Sequence, residues 1–217
     1  PSTAGGGLFV APPQRATGAY NTDNYYSWLN ENLLTYNKSV GDHNFDMLAG
    51  YTTQRYMIQS GRLSKTDFPN DEIPWLNAGA TVTSSGSSTA SWTLESLIGR
   101  FNYDYKGKYL LSAAVRRDGS SRFGADKKWG TFPSISAGWL LSSEDFLKDN
   151  TLISFLKLRG SYGVVGNNNI GNYTSIAMMG TTNYTFGNIL NQGLSITSLG
   201  NTLLSWEKTN QWDVGLD

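Results

Sequence analysis

The chain has 217 residues, a formal net charge of zero from 17 Lys plus Arg against 17 Asp plus Glu, no Cys and one His. Balanced charge argues against a nucleic-acid-binding protein, and the lack of Cys excludes disulfides, thiolate metal sites and Cys nucleophiles. Because His43 is the single His, almost every His-based metal or acid–base site is excluded as well, and we expect no cofactor, no bound metal and no nucleic-acid partner.

The two chain ends predict an incomplete protein. The chain begins at Pro1 with neither an initiator Met nor a signal peptide, and it stops at Asp217 directly after an alternating pattern. No stretch approaches the roughly 18 consecutive apolar residues of a membrane-spanning helix. We therefore expect an internal piece of a longer protein, and we expect no membrane-spanning helix within this piece.

Alternation of apolar and polar residues predicts about seven strands, most of them about ten residues long. In chain order they cover roughly 25–38, 44–54, 98–106, 109–118, 134–142, 156–163 and 206–217. The sixth is the clearest, with one parity made of Leu156, Leu158, Gly160 and Tyr162 and the other of Lys157, Arg159, Ser161 and Gly163.

Short and long connections alternate between these strands. Gly41–Asp42 and Lys106–Gly107 are predicted to be tight turns, and residues 143–148 a short connection with one helical turn. The long connections are expected at about 58–91, 119–130 and 166–205. Loops of this length are uncommon in a compact soluble domain, but outer-membrane barrels carry short periplasmic turns and long extracellular loops.

Charged residues of the predicted strands favour the polar parity, and the apolar parity is expected to carry none. A charge on a lipid-facing position costs roughly 2–4 kcal/mol at mid-depth, so this division favours a membrane barrel. We expect an all-β, antiparallel transmembrane β-barrel, here a partial barrel of about seven strands. The lumen-facing candidates are Arg100, Asp104, Arg116, Asp118, Lys157, Arg159, Glu207 and Asp213.

Aromatic residues cluster towards both ends of the predicted strands. Membrane barrels carry such rings at their two interfaces. One belt is expected at the short turns, from Tyr36, Tyr103, Tyr105 and Tyr109, and the other near the long loops, from Trp129, Phe132, Tyr162 and Trp206.

Several stretches, in order from about residue 30 to the end, resemble SusC/RagA-type TonB-dependent outer-membrane transporters. They are Tyr103–Leu111, Arg116–Gly124, Phe132–Trp139, Ser143–Leu147, Leu156–Gly163, Gly166–Asn167 and Leu204–Thr209. The resemblance implies part of a TonB-dependent receptor barrel of about 22 strands, with the plug and the remaining strands absent from residues 1–217.

The resemblance also implies a function. It is the import of oligosaccharides or peptides across the outer membrane of a Gram-negative bacterium, as the barrel component of a SusCD-like complex. The expected partners are a SusD-like surface lipoprotein lid, the TonB complex through a segment absent from this chain, the glycan or peptide cargo, and outer-membrane lipid.

Five residues of the long loops are candidates for contact with substrate or lid: Trp75, Trp92, Arg122, Tyr173 and Tyr184. Ordinary loop packing is the favoured alternative for the aromatic ones. The run Arg116–Phe123 has two interpretations, a strand exit in which Arg116 pairs with Asp118 and a polar cluster that binds substrate. We favour the strand exit. A calcium loop between Asp118 and Asp126 lacks EF-hand spacing and is disfavoured.

We expect no enzymatic activity, since no pair of carboxylates has suitable spacing. Glu144 and Asp145 share a short turn, and Glu207 and Asp213 lie about 20 Å apart along one strand. The alternatives are a soluble β-sandwich module for carbohydrate binding or adhesion and, less favoured, a glycosidase fragment. A soluble module would bury the following four residues together beneath a second layer: Phe101, Leu111, Leu158 and Val214.

Overall fold

A computed structural model gives the structure of the chain and describes residues 16–69, 75–148 and 152–217. These residues form nine strands: β1 Thr17–Val40, β2 His43–Thr66, β3 Thr81–Tyr105, β4 Tyr109–Ser120, β5 Trp129–Leu140, β6 Lys157–Asn167, β7 Met178–Phe186, β8 Ile189–Ser198 and β9 Glu207–Leu216. Three short 3-10 helices cover Leu76–Ala78, Ala125–Lys127 and Leu141–Ser143. A search of the same residues finds no helix with the length and apolar character needed to span a bilayer.

Seven strands form one sheet in the order β1-β2-β3-β4-β5-β6-β9, and β7 and β8 form a separate two-stranded sheet. The pairs from β3 through β6 to β9 are all antiparallel. The sheet does not close, so β1 and β9 are its edges. All seven predicted strands are confirmed, and so is the all-β class with a partial, unclosed barrel.

Three strands are much longer than predicted. β1, β2 and β3 contain 24, 24 and 25 residues, so much of the stretch 58–91, expected to be a loop, is strand instead. Residues 81–89 are exposed on both faces, so backbone pairing holds them in the sheet and no apolar period marks them. Residues 70–74 of the same stretch lie outside the described residues.

The third predicted long loop, 166–205, also contains regular structure. It holds the hairpin of β7 and β8, in which both faces carry apolar side chains, as at Met178 and Met179 in β7 and Ile189 and Leu190 in β8. The prediction of a loop without strands was therefore wrong for this segment.

Two compact units divide the described chain. One contains residues 16–26, 57–69 and 75–90, and the other contains residues 27–56, 91–148 and 152–217. Strands β1, β2 and β3 extend into both.

The tight turns have the predicted conformation. Gly41 has a φ of +58°, and Lys106 and Gly107 have φ values of +56° and +66°. Two consecutive positive φ values define the hairpin turn whose twist matches antiparallel strands. After β5, the carbonyl of Glu144 accepts from the backbone N–H groups of Leu147 and Lys148, both at 2.9 Å, which forms the expected helical turn.

The buried core is a small aromatic cluster formed by Phe123, Phe132 and Trp206. The Trp206 ring lies 5.3 Å from Phe123 and 5.1 Å from Phe132 between ring centroids. Phe132 and Trp206 are each 8% exposed, so their predicted place in an interfacial belt was wrong. Phe132 stands opposite Arg116 in the β4–β5 register, on the polar parity of the sheet.

Candidate functional site

The register of β3, β4, β5, β6 and β9 divides the sheet into an apolar and a polar face. Residues directly opposite each other share a face. Three apolar rows cross the five strands: Tyr105-Tyr109-Trp139-Leu158-Leu216, Tyr103-Leu111-Ala137-Gly160-Val214 and Phe101-Ala113-Ile135-Tyr162-Trp212. Between them on the opposite face lies one row of small polar residues, here called the polar row: Asn102, Ser112, Ser136, Ser161 and Asp213.

The apolar rows are not covered by another layer of the described chain. Leu111, Leu158 and Val214 are 38%, 42% and 81% exposed, and Phe101 is partly covered by Phe45 of β2 at 6.4 Å. A continuous apolar surface of this kind is foreign to a protein surrounded by water and marks contact with lipid or another protein. The burial that a soluble sandwich requires does not occur.

Three charged residues of these strands fall on the apolar parity, where none was expected: Glu95, Arg117 and Lys208, all beyond the three apolar rows towards the long loops. Arg117 stands opposite Thr131 and follows Val115. Its guanidinium lies 5.2 Å from the ring centre of Trp129. The expectation of a charge-free apolar parity therefore fails at these strand ends.

Hydrogen bonds join the polar row to β2. Asn102 donates from Nδ2 to Asp46 Oδ1 at 2.8 Å, and Ser112 Oγ donates to Asn102 Oδ1 at 2.6 Å. The row borders a concave region of about 690 Å³ whose lining also includes Asp104, Lys157 and Arg159. Hydroxyls, amides and both signs of charge therefore face one cavity.

The charged lumen candidates occupy the polar parity, mostly in local pairs. Arg100 lies 3.5 Å from Asp46, Arg159 lies 3.1 Å from Asp217, and Glu207 accepts from Asn167 at 3.0 Å. Asp104 accepts from Asn44 Nδ2 at 3.3 Å and from the Gly107 N–H at 2.9 Å. These contacts are solvated, and such pairs contribute about 0–1 kcal/mol each. Their effect is to fix side-chain positions, with little gain in stability.

Arg116 and Asp118 form the pair expected from the sequence. Arg116 Nε donates to both Asp118 oxygens at 2.7 and 2.9 Å, and its NH2 donates to Ser96 Oγ at 3.1 Å. Asp118 is 7% exposed and Ser96 is 1% exposed. The favoured internal pairing at the end of β4 is confirmed.

Three of the five candidates have packing partners, and the prediction that Trp92 belongs to a loop was wrong, because it lies in β3. The guanidinium of Arg122 stacks 5.1 Å from the ring centre of Trp92 and donates to Asn172 Oδ1 at 3.0 Å and to the Asn168 carbonyl at 3.2 Å. Tyr173 has a φ of +65°, and its hydroxyl accepts from the Ser91 N–H at 3.0 Å. Hydrogen bonds from the Ser91 side chain and backbone lower the pKa of the loop residue Tyr173, in keeping with a fixed position.

The other two loop candidates are exposed. Tyr184 on β7 is 53% exposed, and Trp75, which belongs to the other compact unit, is 72% exposed. The structure therefore gives Trp92 of β3, Arg122 and Tyr173 packing or hydrogen-bond partners and leaves Tyr184 and Trp75 open.

An aromatic run crosses the short-turn end of the apolar face. Ring centroids lie 4.7 Å apart for His43 and Tyr105, 6.1 Å for Tyr105 and Tyr109, and 6.2 Å for Tyr109 and Trp139. His43, which had no role in the sequence analysis, also contacts the Tyr103 hydroxyl through Nδ1 at 2.8 Å. The predicted belt at this end therefore extends to His43 and Trp139.

Glu144, in the turn after β5, fixes the polar edge of this run. Its Oε1 accepts from the Tyr109 hydroxyl at 2.7 Å and from Trp139 Nε1 at 3.0 Å, and its Oε2 lies 3.2 Å from Lys108 Nζ. These donors, Trp139 foremost, lower the pKa of the Glu144 carboxyl below its ordinary value. Sequence reasoning considered Glu144 only as a catalytic acid, and no local pattern revealed these partners.

An open antiparallel sheet with one lipid-type face and one hydrated face is the wall of a transmembrane β-barrel. A family sequence model described as "TonB dependent receptor-like, beta-barrel" matches residues 2–217, and the chain belongs to this family. TonB-dependent receptors are transporters and not enzymes, in agreement with the sequence analysis.

Similar proteins support the SusC/RagA-type assignment. The chain is 40% identical over 206 residues to TonB-dependent receptor P39 of Formosa agariphila, covering 94% of this chain and 20% of that protein. It is 35% identical over 216 residues to TonB-dependent receptor SusC of Bacteroides thetaiotaomicron, covering 90% of this chain and 21% of that protein.

Solved structures give the same result. The RagAB peptide importer in the "closed-closed" state matches with a TM-score of 0.83 at 30% identity, over 91% of this chain and 22% of that chain. The "open-open" state of RagAB matches with a TM-score of 0.78 at 29% identity, over 92% of this chain and 22% of that chain. The chain thus spans about a fifth of the length of the relatives that it matches.

Proposed function

We propose that this chain forms part of the barrel wall of a TonB-dependent importer in the outer membrane of a Gram-negative bacterium. The observation that carries the proposal is the register of five strands, which places three apolar rows on one face and the polar row on the other. Lipid would contact the apolar rows, and a hydrated path would pass the polar row. The remaining strands and the plug would come from the rest of the protein.

The polar row suits a cargo rich in hydrogen-bonding groups. Its hydroxyl and amide side chains can donate to and accept from sugar hydroxyls or peptide groups alike. The eight charged lumen candidates, four basic and four acidic, would flank the same path, and this balance would prevent strong selection for one sign of charge. Oligosaccharides and peptides are therefore the proposed cargo classes, and the similarity to the RagAB peptide importer supports the peptide class.

The proposed partners are a SusD-type surface lipoprotein and the TonB complex, the latter acting through a part of the protein outside this chain. Exposed Tyr184 and Trp75 are the loop side chains best able to contact cargo or a lid. Trp92, Arg122 and Tyr173 would instead hold the loops in shape, because their polar atoms and rings already have partners.

The two faces can be tested with spin labels in the full-length protein reconstituted into a bilayer. Labels at Leu111 and Leu158 should collide with oxygen dissolved in the lipid, whereas labels at Ser112 and Arg159 should collide with a water-soluble nickel reagent. Leu111 and Ser112 are adjacent on one strand and serve as matched controls for local mobility. Equal access of the nickel reagent to all four sites would refute the proposal and favour a soluble β-sandwich module.

Cargo class needs a separate experiment. A strain lacking the full-length gene should lose growth on one class of nutrient when tested on a panel of glycans and peptides as sole carbon or nitrogen source. Complementation with the wild-type gene controls for indirect effects. Unchanged growth on every member of both classes would contradict the proposed cargo.

A further inference from the structure

The apolar face contains a depression whose floor is made of two small residues. Ala137 and Gly160 stand directly opposite each other on β5 and β6. Larger side chains surround them in the register: Leu111 beside Ala137, Val214 beside Gly160, and the pair Trp139 and Leu158 towards the short turns. The pair Ile135 and Tyr162 follows on the side towards the long loops.

Neither backbone conformation nor packing requires a glycine at this floor. Gly160 does not have a positive φ, and a Cβ at this position would meet only the Asp213 carbonyl oxygen at 3.8 Å, an ordinary contact. The described part of the chain therefore leaves the space above Gly160 unfilled. The depression measures about 680 Å³, within the roughly 300–1,000 Å³ that ligand sites commonly occupy.

A polar pair borders the depression at the short-turn end. Tyr109 and Trp139 line the depression, and both donate to Glu144, which lies 3.2 Å from Lys108 Nζ. The side chains of Lys108 and Glu144 are 22% and 16% exposed. One positive and one negative group thus lie next to an apolar recess, beside the rings that membrane proteins place at the interface.

The charge at this edge favours a particular lipid. Lys106 pairs with Asp42 at 3.5 Å and Lys108 with Glu144, so neither lysine of the β3–β4 turn is left without a carboxylate. Anionic lipids are selected by unbalanced basic clusters, which this turn lacks. A headgroup that carries one phosphate and one ammonium would complement the Lys108–Glu144 pair.

We infer that the Ala137–Gly160 depression and the Lys108–Glu144 pair form a binding site for one zwitterionic phospholipid of the phosphoethanolamine type. An acyl chain fills the depression, the phosphate contacts Lys108, and the ammonium contacts Glu144. This inference rests on the proposed function, because it requires that the apolar face meets lipid. It adds a discrete site to that face, which a uniformly lipid-coated barrel would not have.

The test uses the delipidated full-length protein in detergent, titrated with phosphatidylethanolamine or phosphatidylglycerol and followed by native mass spectrometry. The wild type should hold one phosphatidylethanolamine more tightly than phosphatidylglycerol. G160L should weaken that binding roughly tenfold, because it excludes about two methylenes from the recess. The matched control A113L enlarges an alanine of the next apolar row, opposite Phe101 and Ile135, and should bind like the wild type.

The affinities of the Gly160 variants test the site, and the relative affinities of the two lipids test the headgroup assignment. If G160L binds phosphatidylethanolamine with wild-type affinity, and its heat-dependent gel mobility shows a folded barrel, the site is overturned. G160A adds a single methyl and should lose less affinity, so it serves as a second variant in case G160L misfolds. Equal affinity of the wild type for the two lipids would overturn the headgroup assignment. A spin label at Ile135 in a bilayer separates the two proposals. If the label contacts lipid and G160L binds phosphatidylethanolamine like the wild type, this site alone is refuted. If the label contacts water, the proposed function is refuted as well.

Discussion

Replacement of Trp206 by Ala should release the loop between β4 and β5. The Trp206 ring packs on Phe123 and Phe132, and its Nε1 donates to the Lys128 carbonyl at 2.8 Å. The Lys128 carbonyl also accepts from the Ser120 N–H at 3.1 Å, so the indole stabilises the closing contact of this loop.

The expected size of the effect follows from burial. Trp206 is 8% exposed, and truncation of a buried Trp to Ala costs about 3–5 kcal/mol. If that energy opposes local opening of the loop, the open population should rise by about a hundredfold or more. W206F keeps most ring contacts and loses one hydrogen bond, worth about 1 kcal/mol, so opening should increase only about fivefold.

Limited proteolysis measures this opening directly. Trypsin cleaves after Lys127 and Lys128 only when the loop leaves its site, and mass spectrometry of the full-length protein in a bilayer can follow those two cleavages. W75A is the matched control, because Trp75 is 72% exposed and its loss should change stability by less than about 0.5 kcal/mol. Cleavage of W206A at the wild-type rate, or no difference between W206A and W75A, would refute the aromatic cluster as the core that holds this loop.

G166A should destabilise the full-length barrel by about 1–3 kcal/mol, because a Cβ at Gly166 would clash with the Phe132 ring. Heat-dependent gel mobility should show this loss, and F132L should restore most of it. R116M should lower the free energy of chemical unfolding by about 1–3 kcal/mol, because it leaves the buried Asp118 carboxylate without its cation. Adding D118N to this variant should recover stability, whereas wild-type stability of R116M would show that the pair is dispensable. The stabilising effect of Glu144, whose folded-state pKa is lowered, should be complete at neutral pH and disappear as the pH falls below the ordinary value of 4.5 towards the lowered one. Thermal unfolding across that range should therefore show wild type and E144Q converging in acid, and a constant gap between them would contradict this role.

Local alternation was sufficient to predict the strands that have two different faces. The segment around Leu156–Gly163 has one apolar and one polar parity, and it is β6. Register followed from tight turns such as Lys106–Gly107, which leave little freedom in how the neighbouring strands pair. The class of fold therefore follows from the sequence alone.

Segments without two different faces could not be predicted in this way. Residues 81–89 are exposed throughout and rich in Ser and Thr, and β7 and β8 carry apolar side chains on both faces. Their strands depend on pairing with distant segments, which a local period does not report. The local pattern consequently predicts loops in both regions, where the structure has strands.

The candidate site was predicted as a set of residues on one parity but not as a network. The polar parity of Arg116 and Asp118 was evident, and so was their pairing two residues apart on a strand. Contacts between distant segments were not evident: Trp206 with Lys128, or Glu144 with Tyr109 and Trp139. Aromatic side chains near strand ends were all expected at the interface, although Trp206 turns inward because a loop supplies its partners.

Because the two faces alternate along each strand, an insertion within a strand keeps every side chain on its face only when it contains an even number of residues. Adding one residue inside a strand such as β4 would exchange the oil-facing and water-facing sets from that point to the end of the strand, unless a bulge absorbed it. Adding two residues would preserve both sets. Natural length variation should therefore accumulate in the connections beyond Ser120 and Asn167, and engineered tags or epitopes belong there too.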